Sequence, residues 1–149
     1  MSRASLLDVN VLIALFDPDH VHHEIAHDWF ADNRTFGWAT CALTENGFLR
    51  VLSNPARGGE IRRVPDLVSR LRTFCASGHH QFWPDSISLL DESLFDPSLA
   101  RGHKHLTDVY LLGLAIKRGG RLVTFDRKVP LGAVKGTHRD SIEVVSSAD

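Results

Sequence analysis

Hydrophobic positions change period repeatedly along this chain, and each change predicts an element. Ser5-Leu6-Leu7 is a short apolar run that predicts a buried strand. Val9, Leu12, Ile13 and Phe16 then fall at helical spacing until Asp17-Pro18 stops the helix. Residues 22–32 predict a second helix with Ile25, Trp29 and Phe30 on one side, and 36–40 a strand. Leu43, Phe48, Val51 and Leu52 form the apolar side of the next helix, which ends before Pro55. Residues 65–77 predict another, with Pro65 in its first turn and Leu67, Val68, Leu71 and Phe74 inward. A third strand is expected at 80–83, followed by short helical pieces around 87–95. The clearest helix opens on Thr107 as N-cap. Asp108 suits its positive end, Lys117 and Arg118 its last turn, and Gly119-Gly120 its termination. Residues 121–125 and 142–146 read as the last two strands.

Strands alternating with amphipathic helices imply a parallel sheet covered on both faces. The expected fold is α/β, a three-layer α/β/α sandwich with a mostly parallel central sheet. At 149 residues, with no repeat, low-complexity tract or Gly/Ser/Pro-rich linker, one domain over 1–149 is expected. Two cysteines, Cys41 and Cys75, exclude a disulfide scaffold and fit a reduced cytosolic setting. The longest apolar run, 11–16, falls far short of the ~20 residues a membrane helix requires, and the first residues lack a signal peptide's apolar stretch. A cytoplasmic protein without a membrane partner is expected.

The net charge of −1 hides a segregated pattern. Residues 1–46 hold two basic and seven acidic side chains, whereas 101–139 hold nine basic groups against Asp108 and Asp126 alone. A near-zero total argues against a domain that merely coats nucleic acid, while basic segments remain compatible with holding a phosphate backbone locally.

Connectivity sends several acids to one place. Ligands of open α/β sheets gather at the carboxyl ends of the strands, where strand order reverses. Asp8 follows the first strand, Asp126 follows the 121–125 strand, and Glu45 opens the helix after the 36–40 strand. Asp108 sits at a helix N-terminus after the 101–106 loop. Each acid alone is more commonly a cap than a ligand. Four in one crevice repel one another and, desolvated, rise in pKa unless a cation is present. Oxygen donors select hard ions such as Mg²⁺ or Mn²⁺. Such ions support phosphodiester cleavage.

Four segments carry a resemblance, namely 6–12 (LLDVNVL), 44–50 (TENGFLR), 106–112 (LTDVYLL) and 123–127 (VTFDR). In order and spacing they resemble the motifs of PIN-domain ribonucleases, most of all the VapC toxin branch of toxin–antitoxin pairs, over nearly the whole chain. The resemblance implies a pocket of Asp8, Glu45, Asp108 and Asp126 that binds Mg²⁺ or Mn²⁺ and is catalytic. Asp8 and Asp108 would hold the principal ion, Glu45 and Asp126 would complete or expand the site, and Asn10 and Thr107 would support it by hydrogen bonding. Thr124 more simply serves the strand end. The same resemblance implies an RNA substrate, hydrolysis leaving a 5′-phosphate and a 3′-hydroxyl, a homodimer and a VapB-type antitoxin. An inert RNA- or protein-binding module is the alternative, and the intact quartet argues against it.

Residues 23–27 match H-E-x-x-H, a zinc-protease motif with both histidines on one helical face. The extended form is missing, since Phe30 and Asn33 stand where a Gly and a third His belong, and no third ligand follows. His103 and His105 flank the approach to Asp108 and, among nine histidines, read as exposed loop residues. Trp29, Trp38 and Trp83 could stack bases, but packing in amphipathic elements is the better reading. Gly58-Gly59 and Gly119-Gly120 read as turns rather than phosphate loops. Arg50, Arg57, Arg62 and Arg63 follow Glu45 and could line a nucleic-acid path. Arg50 and Arg127 are the two expected near the pocket.

Overall fold

The computed structural model describes residues 3–57 and 62–146, which leaves the Gly58-Gly59 turn outside the described residues. The strands β1 (Ser5–Leu7), β2 (Trp38–Thr40), β3 (His80–Phe82), β4 (Arg121–Thr124) and β5 (Ile142–Val144) form one sheet in the order β3-β2-β1-β4-β5. Every pairing is parallel. Parallel neighbours need crossovers long enough for a helix. Here α1 (Val9–Phe16) and α2 (His23–Asn33) link β1 to β2, α3 (Ala42–Leu52) and α4 (Val64–Cys75) link β2 to β3, and α5 (Leu106–Lys117) precedes β4.

The two-residue period of the strands sorts their side chains between two cores. Leu7, Trp38 and Val123 face one side, where they join Leu12, Phe30, Phe48, Leu67 and Leu71 from α1–α4. Leu6, Ala39 and Leu122 face the other, against Val109, Leu112 and Leu114 of α5 and against Trp83, Phe95 and Val134 from the turns. The sandwich therefore has the three expected layers, but one outer layer is a single helix backed by turns. Gly47 brings α3 onto α1, since a Cβ there would lie 2.7 Å from Val9 Cγ2. At the far end of α5, Gly119 adopts φ 69°, donates to Ile116 O, and lets Gly120 N–H reach Ala115 O at 2.9 Å. This αL closure ends the helix where the double glycine predicted it.

Three local expectations are corrected. Helix α5 is capped two residues early, with His105 rather than Thr107 at the N-cap, because a 3-10 turn, His103–His105, feeds directly into it. The 87–95 segment forms turns, not helical pieces. Ser88 Oγ accepts from Leu90 N–H at 3.0 Å and Asp91 Oδ1 from Ser93 N–H at 2.9 Å, local bonds that compete with helix formation. Leu43 is 38% exposed, on the outer side of α3.

Candidate active site

Strand order reverses about β1, with β2 on one side and β4 on the other. The carboxyl ends of β1 and β4 therefore open a crevice of the kind in which α/β proteins bind ligands. Asp8 stands at its base, 5% exposed. Its N–H donates to Val123 O at 2.9 Å, extending the β1–β4 ladder by one residue. Its side chain caps α1, with Oδ1 accepting the Val9 N–H at 2.7 Å. Oδ2 accepts the Thr124 hydroxyl hydrogen, also at 2.7 Å.

Thr124 is the hub of the crevice. Fully buried at the end of β4, its hydroxyl oxygen also accepts the Asp126 N–H at 3.1 Å and Asn10 Nδ2 at 3.4 Å. One short side chain thus ties β1, α1 and the loop after β4 together. Asp126 Oδ1 in turn accepts the Lys128 N–H at 2.8 Å, which fixes the loop.

Asp108, in the first turn of α5, completes a trio with Asp8 and Asp126. Burial, then the charges of Asp8 and Asp126, then hydrogen bonding to both carboxyls push its pKa up to about 7. Asp8 is raised as well, because burial outweighs the hydroxyl of Thr124 and the N–H of Val9. Such a trio keeps a proton near neutral pH unless a cation takes the proton's place.

His105 brings a nitrogen to two of these acids, Asp108 and Asp126. It stands one turn before Asp108, and ligand atoms of His105, Asp108 and Asp126 all lie within 4.8 Å of one another. Among the described residues, the two buried side-chain atoms with no hydrogen-bond partner are Asn10 Oδ1 and His105 Nδ1, both in this neighbourhood.

Glu45 is placed differently. It lies at the start of α3, half-buried, and accepts the Thr40 hydroxyl at 2.8 Å. That hydroxyl has a single hydrogen, so His80 Nε2, 2.8 Å away, donates to it. Burial lowers the His80 pKa, against the opposing pull of Glu45. Glu45 therefore sits at the carboxyl end of β2, tethered to β2 and β3, and no hydrogen bond joins it to the trio.

The remaining expectations divide. Asn10 faces the crevice through Thr124. Thr107 is exposed and makes no side-chain hydrogen bond with the described residues, and Arg50 and Arg127 are exposed. Arg57 and Arg62 do not stand free for nucleic acid, because they bind Asp17 at 2.7 and 3.4 Å. The histidines of H-E-x-x-H point at the end of α1. His23 Nδ1 donates to Ala14 O at 2.7 Å and His27 Nε2 to Leu15 O at 2.8 Å, so they satisfy last-turn carbonyls instead of holding zinc. Sequence reasoning undervalued Thr124, His105, Thr40 and His80. The usable signals were the three-residue step from His105 to Asp108 and the two-residue step from Thr124 to Asp126.

A family model described as PIN domain matches residues 5–134. Ribonuclease VapC44 of Mycobacterium tuberculosis (strain ATCC 25618 / H37Rv) is 43% identical over 138 residues, 93% of this chain and 96% of that protein. Ribonuclease VapC38 of the same strain is 46% identical over 125 residues, covering 84% and 86%. Ribonuclease VapC39, also of that strain, is 41% identical over 133 residues, covering 89% and 95%.

Proposed function

The chain belongs to the PIN-domain family, and from that premise we propose that it is a divalent-metal-dependent endoribonuclease, the toxin of a toxin–antitoxin pair. The observation that carries the reading is the convergence of Asp8, Asp108 and Asp126, with Asp108 pushed to about 7 by burial and by its neighbours. The donor set fits a hard cation, since three carboxylates converge and Asn10, held to Thr124 beside them, keeps a buried unpartnered Oδ1. Asp8 and Asp108 would hold the ion and Asp126 would border it, with Asn10 in support through Thr124, while Thr107, expected to help, stands exposed. Mg²⁺ or Mn²⁺ would fill the site.

A bound divalent cation supplies Lewis acidity that makes water nucleophilic near neutral pH and offsets charge developing on the phosphodiester. The chain's residues do the positioning. Thr124 holds Asp8 and the Asp126 loop at fixed separation, so the carboxylates need little reorganisation as charge develops. Glu45, braced by Thr40 and His80, extends the acidic rim toward β2 and would expand the site when substrate is present. Arg50 and Arg127 would contact the RNA backbone, which positions substrate without reading its sequence. Cleavage would leave a 5′-phosphate and a 3′-hydroxyl.

The relatives' names, each beginning Ribonuclease, support RNA as the substrate here. The same reading includes a VapB-type antitoxin partner, a homodimer and a cytoplasmic location. No helix among the described residues is long and apolar enough to cross a membrane.

The test is cleavage of total cellular RNA by purified, antitoxin-free protein with Mg²⁺, with Mn²⁺ and with EDTA, using Asp8→Asn as control. Discrete fragments that require the ion and vanish in the variant are expected. Folded protein that binds RNA but cleaves it under no condition would instead identify an inert binding module.

A further inference from the structure

Resting on that reading, we propose that His105 is a ligand of the same ion, which makes the centre a mixed nitrogen–oxygen site selecting Mn²⁺ over Mg²⁺. His105 is the N-cap of α5 and precedes Asp108 by three residues, so the 3-10 turn that runs into the helix sets it one turn from Asp108. A carboxylate and an imidazole three residues apart also hold one ion between them in helical metal sites. Ligand atoms of His105, Asp108 and Asp126 lie within 4.8 Å of one another, and donors about 2.0–2.2 Å from a shared ion lie at most about 4.4 Å apart, so small side-chain rotations bring them onto one ion.

The state of the ring is the second observation. His105 Nδ1 is buried and has no hydrogen-bond partner among the described residues. Buried polar atoms are nearly always paired, and an unpaired ring nitrogen on a residue clustered with two carboxylates is available to a cation. His103, in the same 3-10 turn, is exposed and outside the cluster, so the turn alone does not account for the placement of His105. Imidazole nitrogen favours first-row transition ions, whereas Mg²⁺ prefers oxygen and gives up its own waters reluctantly. The nitrogen thus discriminates between two ions that the carboxylates treat alike.

The test uses the full-length, metal-free protein. Calorimetric titration with Mn²⁺ and separately with Mg²⁺ is run on wild type, His105→Ala and His103→Ala, and pulsed electron paramagnetic resonance of the Mn²⁺-loaded samples reads nitrogen coupling. Wild type and His103→Ala should show a directly coupled nitrogen, and His105→Ala should not. Even outer hydrogen-bond partners of a metal ligand are worth about 10–100-fold in affinity, so His105→Ala should weaken Mn²⁺ at least tenfold. Mg²⁺ affinity should change far less. Nitrogen coupling absent from wild type or surviving in His105→Ala, or equal losses for both ions, would overturn the proposal. Should His105→Ala fail to fold, His105→Gln takes its place, and the wild-type spectrum still decides. Failure of wild type to bind either ion overturns the metal-nuclease reading too, whereas binding without nitrogen coupling overturns this inference alone.

Discussion

Thr124 gives its hydroxyl hydrogen to Asp8 Oδ2 at 2.7 Å while the same oxygen takes the Asp126 backbone N–H at 3.1 Å. Two acids distant in sequence are thus spaced by one short side chain. Thr124→Val keeps the volume and strands both partners, at a cost of about 1–3 kcal/mol for a buried unpaired group. Urea unfolding should show that loss, and RNA cleavage should fall at least tenfold, with Thr124→Ser restoring most of both. A Thr124→Val protein as active as wild type would remove Thr124 from the site's architecture.

Asp8→Asn separates capping from chemistry. The amide oxygen can still accept the Val9 N–H, so α1 keeps its cap. The amide nitrogen would meet the Thr124 hydroxyl oxygen and displace there the long 3.4 Å bond from Asn10. Cleavage should disappear while circular dichroism and the thermal midpoint stay close to wild type. Full-rate cleavage by the folded variant would exclude Asp8 from the mechanism.

The acid trio ties stability to pH. Asp108 is raised from 3.8 to about 7, so between those values the folded chain binds more protons than the unfolded one. Its contribution to stability is therefore fully present below about pH 4 and is lost as pH rises to 7 in metal-free protein. Asp108→Asn removes that loss. With the shift discounted for partial exposure, it should stabilise the metal-free fold at pH 8 by about 1 kcal/mol, or 2–4 °C. Ion affinity should run the other way, rising through pH 7 as the proton leaves. Thermal melts from pH 5 to 8, with and without Mn²⁺, check both signs.

The paired histidines of α2 make a contrasting prediction. His23 and His27 donate to α1 carbonyls, and a net hydrogen bond contributes about 0.5–1.5 kcal/mol. His23→Ala and His27→Ala should each lower stability by about that amount and leave RNA cleavage of the folded protein at full rate. Peptide hydrolysis that is lost in either variant would reinstate the zinc reading.

The elements that sequence made legible are those where one period dominates. β1 reads from three buried residues, and α1 from four apolar positions ended by Asp17-Pro18. The end of α5 was equally readable, because only an αL closure suits Gly119. Its start was not, because a 3-10 turn flows into the helix without a preferred cap residue. The 87–95 segment misled because Ile87, Leu90 and Leu94 fall near helical spacing while Ser88 and Asp91 bond their own backbone. At the site, Asp8 and Asp126 follow from strand connectivity alone. That Glu45 is tethered by Thr40 and His80 does not, because it depends on the register between β2 and β3. Likewise, nothing local to Arg57 or Arg62 reveals that both close onto Asp17.

Strand β4 lies between β1 and β5 in the sheet although it begins only at Arg121, long after β1 ends at Leu7. Until it arrives, β1 is an open edge, Asp8 lacks the hydroxyl of Thr124, and the third acid has no anchor. Loop closure over such a separation is slow compared with helix formation. A chain made only as far as β3 can pair β1, β2 and β3 but has neither Asp108 nor Asp126 to set beside Asp8. The topology therefore delays assembly of the acid trio until β4 has been made, and a chain that stops short of Arg121 never assembles it.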